Sequence, residues 1–328
     1  MTLPQLFDKI FKHPDLVARP PVLLDIGASG SLHSSWQEFA RFSVCVAFDA
    51  DDREMDFIND KAQNFRKLYV INKIVTDQDN DSADFYLTSS PFCSSLLKPD
   101  NESLTDWAFA YLFEVDKKVK LPAISLAKAL ESLNIGYVDW YKSDSQGLDL
   151  SIFKNIADKQ YSAIVADFEP GFIDAYMGEN KIQDLLEYMK SMPFWLHSFS
   201  PGGNQRMNIP YLKSAFCDLE ITNIRTNTAN SSIYAEITYI NNFKQEQLHT
   251  ERHYLLGCAF ALTLKQYGFA AELALKGKEL TGNGLFDMIL QYIKQTTAKP
   301  TILSLLRKPA VLKTKVINNL IGKLNKLR

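Results

Sequence analysis

At 328 residues, with 46% hydrophobic and 23% charged residues, the chain has globular composition and is long for a single compact core. Its net charge of −2 is unevenly spread: residues 299–328 carry eight Lys/Arg and no Asp or Glu, which leaves 28 basic against 38 acidic groups before them. An acidic body with its basic groups confined to one segment argues against nucleic acid as a partner. Four dispersed cysteines, Cys45, Cys93, Cys217 and Cys258, form no C-x-x-C pair and point to reduced thiols. With no signal-peptide pattern at the N-terminus and no apolar run near 18 residues, the expectation is a cytoplasmic protein that does not span a membrane.

Apolar strand-like runs alternate with helical patterns through the first 240 residues. "PVLLDIGA" (21–28) leads into a predicted helix through "HSSWQEFARF" (33–42), then into "VCVAFDAD" (44–51) and a charged helix. "KLYVINKIVT" (67–76) reads as a third strand and residues 84–88 as a short one, whereas 91–120 give no clear pattern. "ISLAKALESL" (124–133) has apolar residues at helical spacing, "YVDWYKSD" (137–144) is strand, and "LDLSIFKNI" (148–156) is helix. "YSAIVADFE" (161–169), "FWLHSFS" (194–200) and "SIYAEITYI" (232–240) complete the strands, with a helix over 182–192. Strands separated by helices predict an α/β fold, a doubly wound and mainly parallel sheet covered on both faces. Beyond 245 the strand signal ends, and 253–280 and 283–295 read as two helices. The expected domains are 1–243 and a helical C-terminal extension, 244–328.

The stretch "LLDIGASGSL" (23–32) runs a buried strand into a small-residue turn. In an open α/β sheet, ligands collect at the carboxyl ends of strands where the strand order reverses. Gly27 and Gly30 let backbone approach a ligand closely, with Ala28 and Ser29 between them, and the following helix points its amino end there. Asp49 ends the second strand, where a carboxylate can accept from both hydroxyls of a ribose. The spacing is G-x-x-G, not the G-x-G-x-x-G that cradles a pyrophosphate. Asp25, just before the turn, is suited to a ligand's ammonium group. S-adenosylmethionine carries that ammonium and no phosphate, so it fits better than a nicotinamide dinucleotide; a purely structural turn is the third reading.

"YVDWYKSDSQGLDLSIFKNI" (137–156) sharpens this. It resembles the strand–turn–helix of the FkbM family of S-adenosylmethionine-dependent methyltransferases, roughly I-D-x-x-K-I-D-V-E-G-x-E before an apolar helix. Asp139, Lys142, Asp144 and Gly147 match in register. "LLDIGASGSL" is similar to the family's first motif, V-D-V-G-A-N-x-G, and "VAFDAD" to its second, A-F-E-P; "CSSLLKP" (93–99) resembles a serine-rich segment between the third and fourth strands. The resemblance spans residues 20–240. Three positions depart from it: Gln146 stands where the family has glutamate, Asp149 replaces a later glutamate, and Ser29 replaces asparagine.

The resemblance implies a Rossmann-like methyltransferase sheet and methyl transfer to a hydroxyl of a sugar, a polysaccharide precursor or a related metabolite. Such a displacement needs alignment of oxygen, carbon and sulfur, and a group to take the hydroxyl proton. Asp144, at the carboxyl end of its strand, is the first candidate base, with capping of the next helix as its bland alternative. Glu169 is second and His197 third. Asp144 and Glu169 are also the candidate ligands for a divalent metal. Asp77, after the third strand, is placed near the adenine, although "TDQDND" also reads as a plain turn. Arg206 in "SPGGNQRMN" is a candidate for an anionic acceptor group, and His249 and His253 in "HTERH" are a weak zinc spacing. A fold retained without catalysis, suggested by Gln146, and a nicotinamide-dependent oxidoreductase are the rival functions.

In "VLKTKVINNLIGKLNKLR" (311–328), Leu312, Val316, Ile317, Leu320, Ile321, Leu324 and Leu327 share one helical stripe that the basic residues avoid. Such a face packs against the chain's own body, a second copy or a glycosyltransferase partner, or lies on an anionic membrane at its inner face.

Overall fold

The computed structural model describes residues 1–28, 33–48, 64–158 and 163–298. Ser29, Gly30, Asp49, the charged segment after it and the stripe over 311–328 lie outside the described residues. The described residues form two compact units: one lies within Phe11–Thr250, the other comprises Met1–Ile10 and 251–298. The boundary therefore falls at 250 rather than 243, and the first ten residues belong with the C-terminal helices.

The larger unit is α/β. Its seven-stranded sheet runs in the order β3-β2-β1-β7-β8-β10-β9. Strands β1 (Val22–Ile26), β2 (Val44–Phe48), β3 (Lys67–Ile71), β7 (Trp140–Ser143) and β8 (Val165–Phe168) are parallel to their neighbours. β10 (Ser231–Asn241) is antiparallel both to β8 and to β9 (Phe194–Asn204). Every residue of β1 and β8 is buried, which is the pattern of strands covered on both faces and explains why they read as continuous apolar runs. The order reverses between β1 and β7: from β1 the chain builds outward through β2 and β3, then returns to place β7 on β1's other side. One face packs Leu24, Ile26, Tyr141 and Phe168 against Leu130, Phe153 and Leu185 of three covering helices.

Three expectations are corrected. Residues 67–76 are two strands: after β3 the chain leaves the main sheet, and β4 (Ile74–Thr76) pairs with β6 (Val115–Ser125) in a small sheet completed by β5 (Ser82–Thr88). β6 begins in the stretch 91–120, which gives no clear pattern, and runs on into the first two residues of the predicted helix 124–133. Its first eight residues are mostly exposed, and its lysine-rich sequence has no buried face to advertise. Segment 33–42 forms two 3₁₀ turns, Ser34–Trp36 and Ala40–Phe42, not a helix. Trp36, Phe39 and Ala40 are buried at helix-like spacing, but their contacts are made from turns that stack Phe39 on Trp140, with ring centroids 6.0 Å apart.

The third correction is in the helical unit, where three helices replace two: Glu251–Thr263, Tyr267–Thr281 and Leu285–Thr297. The first ends with Lys265 left-handed at φ 59° while Gln266 N–H reaches back 2.7 Å to the Ala261 carbonyl, a Schellman closure. Tyr254–Leu262 are buried all round, and the helix Leu3–Ile10 packs against this helix and against Leu285–Thr297. No helix among the described residues is long and apolar enough to cross a membrane.

Candidate functional site

The carboxyl ends of β1, β7 and β8 gather the titratable groups. At β1, Gly27 has φ +75°, and a Cβ there would sit 2.1 Å from the Asp144 carbonyl oxygen, so only glycine lets the two loops meet. The N–H groups of Gly27 and Ala28 both donate to the Phe48 carbonyl, at 3.1 and 3.0 Å. They tie β1 to β2 and are not free for a ligand.

Asp25 is sealed. It is 0% exposed, and Lys142, its register partner on β7, holds Nζ 3.0 Å from Oδ1 while donating to the Gly27 carbonyl at 3.1 Å. The two side chains form a buried ion pair. Burial disfavours the Lys142 ammonium, but Asp25, then Asp144 and more distantly Glu169 outweigh it and hold its pKa above the ordinary value. The expected contact of Asp25 with a ligand's ammonium is thus corrected: an internal ammonium already occupies that place.

The turn after β7 is built by side chains around two left-handed residues, Gln146 at φ 55° and Gly147 at φ 111°. Asp149 accepts from Ser145 N–H at 2.8 Å and from the hydroxyls of Ser143 and Ser145, joining the strand end to the helix Asp149–Asp158. Asp149 takes the tying role, which leaves Asp144 with one hydrogen-bonding side-chain partner among the described residues, the Gln146 amide Nε2–H. Gln146 is itself held: Tyr176 OH lies 2.8 Å from its Oε1, and Ser95 OH donates to its carbonyl at 2.8 Å. Asp139, although it matches the family pattern, accepts from Val22 N–H at the opposite end of the sheet.

Burial raises Asp144 to about 6, with Asp149 and Asp25 adding and Lys142 and the Gln146 bond opposing. Glu169, just past β8, is pushed to about 8, first by burial and then by Asp144, Asp149 and Glu236, against Lys142. The Asp144 charge raises Glu169 above it, so the two carboxyls have staggered protonation, Asp144 ionising first. Such a pair can hold and accept protons near neutral pH, the property a general base for a hydroxyl requires.

Two cavities meet here. One is bounded by Gly27, Phe48, Ile74, Phe85 and Asp144, the other by Phe113, Glu169, Tyr176, Glu179 and Tyr234; Phe92 and Gln146 line both. Tyr176 and Glu179 carried no sequence signal, since both lie in an irregular segment whose role depends on its fold against Gln146.

Other candidates fall elsewhere. His197 lies at a bulge in outer strand β9, beyond β10; burial lowers its pKa, and the charge of Asp167 opposes that. It is not brought to Asp144. Asp77 is exposed past β4, and its carbonyl accepts from Asn155 Nδ2 at 2.9 Å. Arg206 pairs with Asp106 on the surface, and His249 packs on Phe243 at 4.4 Å. Among the described residues, no convergent set of three His, Cys, Asp or Glu ligand atoms includes Asp144 or Glu169. No family model, no curated protein and no solved structure matches this chain.

Proposed function

We propose that the chain is an S-adenosylmethionine-dependent O-methyltransferase of FkbM type, with a Rossmann-like sheet, acting on a hydroxyl of a sugar, polysaccharide precursor or related metabolite. One observation carries the reading: a crevice at the β1/β7 switch point and a second cavity share Gln146 and Phe92, so two ligands bound there would face one another beside Asp144. The ordered motifs of residues 20–240 support it independently.

The residues of the crevice suit the methyl donor in kind. Ile26, Phe48, Ile74 and Val75 offer an apolar slot for a base; Lys73 is the single basic residue among the described lining, too few for a pyrophosphate. When bound, S-adenosylmethionine supplies an electrophilic methyl group. The chain's own part is to align the acceptor and take its proton. Asp144, orientated by Gln146, and Glu169 are the acceptors of that proton, with the Asp25–Lys142 pair fixing β1 against β7 beneath them.

Calorimetry with S-adenosylmethionine and S-adenosylhomocysteine tests the donor site, and absence of binding to either ends this proposal. Asp144→Ala is expected to lower methyl transfer by about 10²–10⁴-fold with donor affinity largely retained. The non-catalytic reading draws on Gln146, whose amide fills the place of the family's glutamate; binding of donor without turnover on any hydroxyl would favour it.

A further inference from the structure

The second cavity holds about 230 Å³, and its walls bear on what it can accept. Its inner side is aromatic: Phe109, Phe113 and Tyr176 follow one another with ring centroids 5.7 and 5.5 Å apart, all three buried. Tyr234 of β10 lines the same cavity, and Phe92, 56% exposed, stands at its junction with the crevice.

The lining carries no cation. Among the described lining residues the carboxyl side chains are Glu169 and Glu179, and none is Lys, Arg or His. Glu179 is satisfied, for its Oε1 accepts from Ala175 N–H at 2.6 Å, Tyr176 N–H at 3.1 Å and Lys181 Nζ at 2.7 Å. Glu169 has no such hydrogen-bond partner among the described residues; burial first, then the like charges of Asp144, Asp149 and Glu236, against Lys142, favour its protonated form. A phosphate or carboxylate brought into this space would lose its hydration and meet no cation in the described lining to replace it. A ring with one apolar face meets the opposite situation. It covers aromatic wall, and its hydroxyls find acceptors in Glu169 and Asn204.

We propose that this cavity is the acceptor site and that it takes an uncharged, hydroxyl-bearing ring with an apolar face, discriminating against phosphorylated or nucleotide-linked forms of the same sugar. The inference rests on the methyltransferase reading and narrows its substrate class.

The test keeps the two apart. Titration with S-adenosylhomocysteine reports on the donor crevice alone. The loaded protein is then titrated with matched pairs that share their ring hydroxyls, the phenyl glycosides of glucose, galactose, mannose and rhamnose against the corresponding sugar 1-phosphates. At least one phenyl glycoside is expected to bind about ten-fold or more tightly than its phosphate. Asn204→Lys, which adds a cation to the lining away from Asp144, is expected to narrow that ratio several-fold with S-adenosylhomocysteine affinity unchanged. Equal or tighter binding of the phosphates, or no binding by any phenyl glycoside, overturns the inference while donor binding stands. A ratio unmoved in folded Asn204→Lys protein also overturns it, by placing the acceptor elsewhere. Loss of S-adenosylhomocysteine binding in the unmodified protein removes the methyltransferase reading, and the inference falls with it.

Discussion

On one face of the seven-stranded sheet, Leu24, Ile26, Tyr141, Ala166, Phe168, Ile237 and Tyr239 enter an apolar core. On the other, the residues between them stand in a single row across four strands: Asp25 beside Lys142, Lys142 beside Asp167, and Asp167 beside Thr238. The two faces come from the same short segments, because successive strand residues point to opposite sides. Apolar contacts tolerate small shifts, but the row is specific. Asp25 and Lys142 form an ion pair, and Asp167 accepts from Trp140 Nε1 and Thr238 Oγ1, both at 2.6 Å, with His33 at 3.8 Å. The apolar face supplies cohesion, and the polar row fixes which strand residue stands beside which, just below the loops that carry Asp144 and Glu169.

Cutting the row should produce the largest effect. Lys142→Met would leave Asp25, which is 0% exposed, charged and unpaired, with an expected loss of about 3–5 kcal/mol in denaturant unfolding. Replacing both partners, Asp25→Leu with Lys142→Met, should recover most of it, since a well-packed apolar pair costs no desolvation of charge. If the single variant is as stable as the parent, the row does not organise the sheet.

The same contrast explains what the sequence could say. Buried parallel strands leave a local signature, and so β1, β2, β7 and β8 were legible as runs, as was Gly27 at its turn. Strand order and register leave none. Nothing in "LLDIG" and "WYKSD" says that Asp25 and Lys142 are neighbours, which is why Asp25 reads as free for a ligand until the pairing is seen. His197 misled for a related reason: its distance from Asp144 depends on β10 entering between β8 and β9. Tyr176 became visible only through the fold, because its partner Gln146 lies 30 positions away in sequence. β6 was lost because its exposed lysines give no alternation between a core side and a wet side.

A smaller effect comes from Glu169, at the edge of the polar face. Its pKa is raised from the ordinary 4.5 to about 8, so the folded protein holds the proton more tightly than the unfolded chain. Its contribution to stability is therefore full at pH below about 4.5 and is lost as pH rises through about 8. Glu169→Gln keeps the shape without the titration. The unfolding midpoint of the parent should fall relative to the variant between pH 5 and 9, by on the order of 1 kcal/mol once partial exposure is allowed for. Parallel curves would show that Glu169 ionises as freely as a surface carboxylate.

The smallest expected change sharpens the comparison most, because it alters charge without altering shape. Gln146→Glu restores the residue of the resembled motif at a position whose left-handed backbone, φ 55°, a glutamate adopts as readily as a glutamine. The side chain can still accept from Tyr176, whose phenol burial holds in its protonated form. What changes is the other end: Asp144 exchanges an N–H donor, which favours its charged form, for a second carboxyl, which disfavours it. Asp144 already titrates at about 6, raised by burial and lowered by Lys142, so a further rise moves it into the neutral range. If Asp144 takes the acceptor's proton, the acid limb of the rate profile should move upward by about one pH unit, while the rate well above it and the unfolding midpoint change little. An acid limb that stays in place in the variant would mean that the group governing the rate is not Asp144, and would shift the role of base toward Glu169.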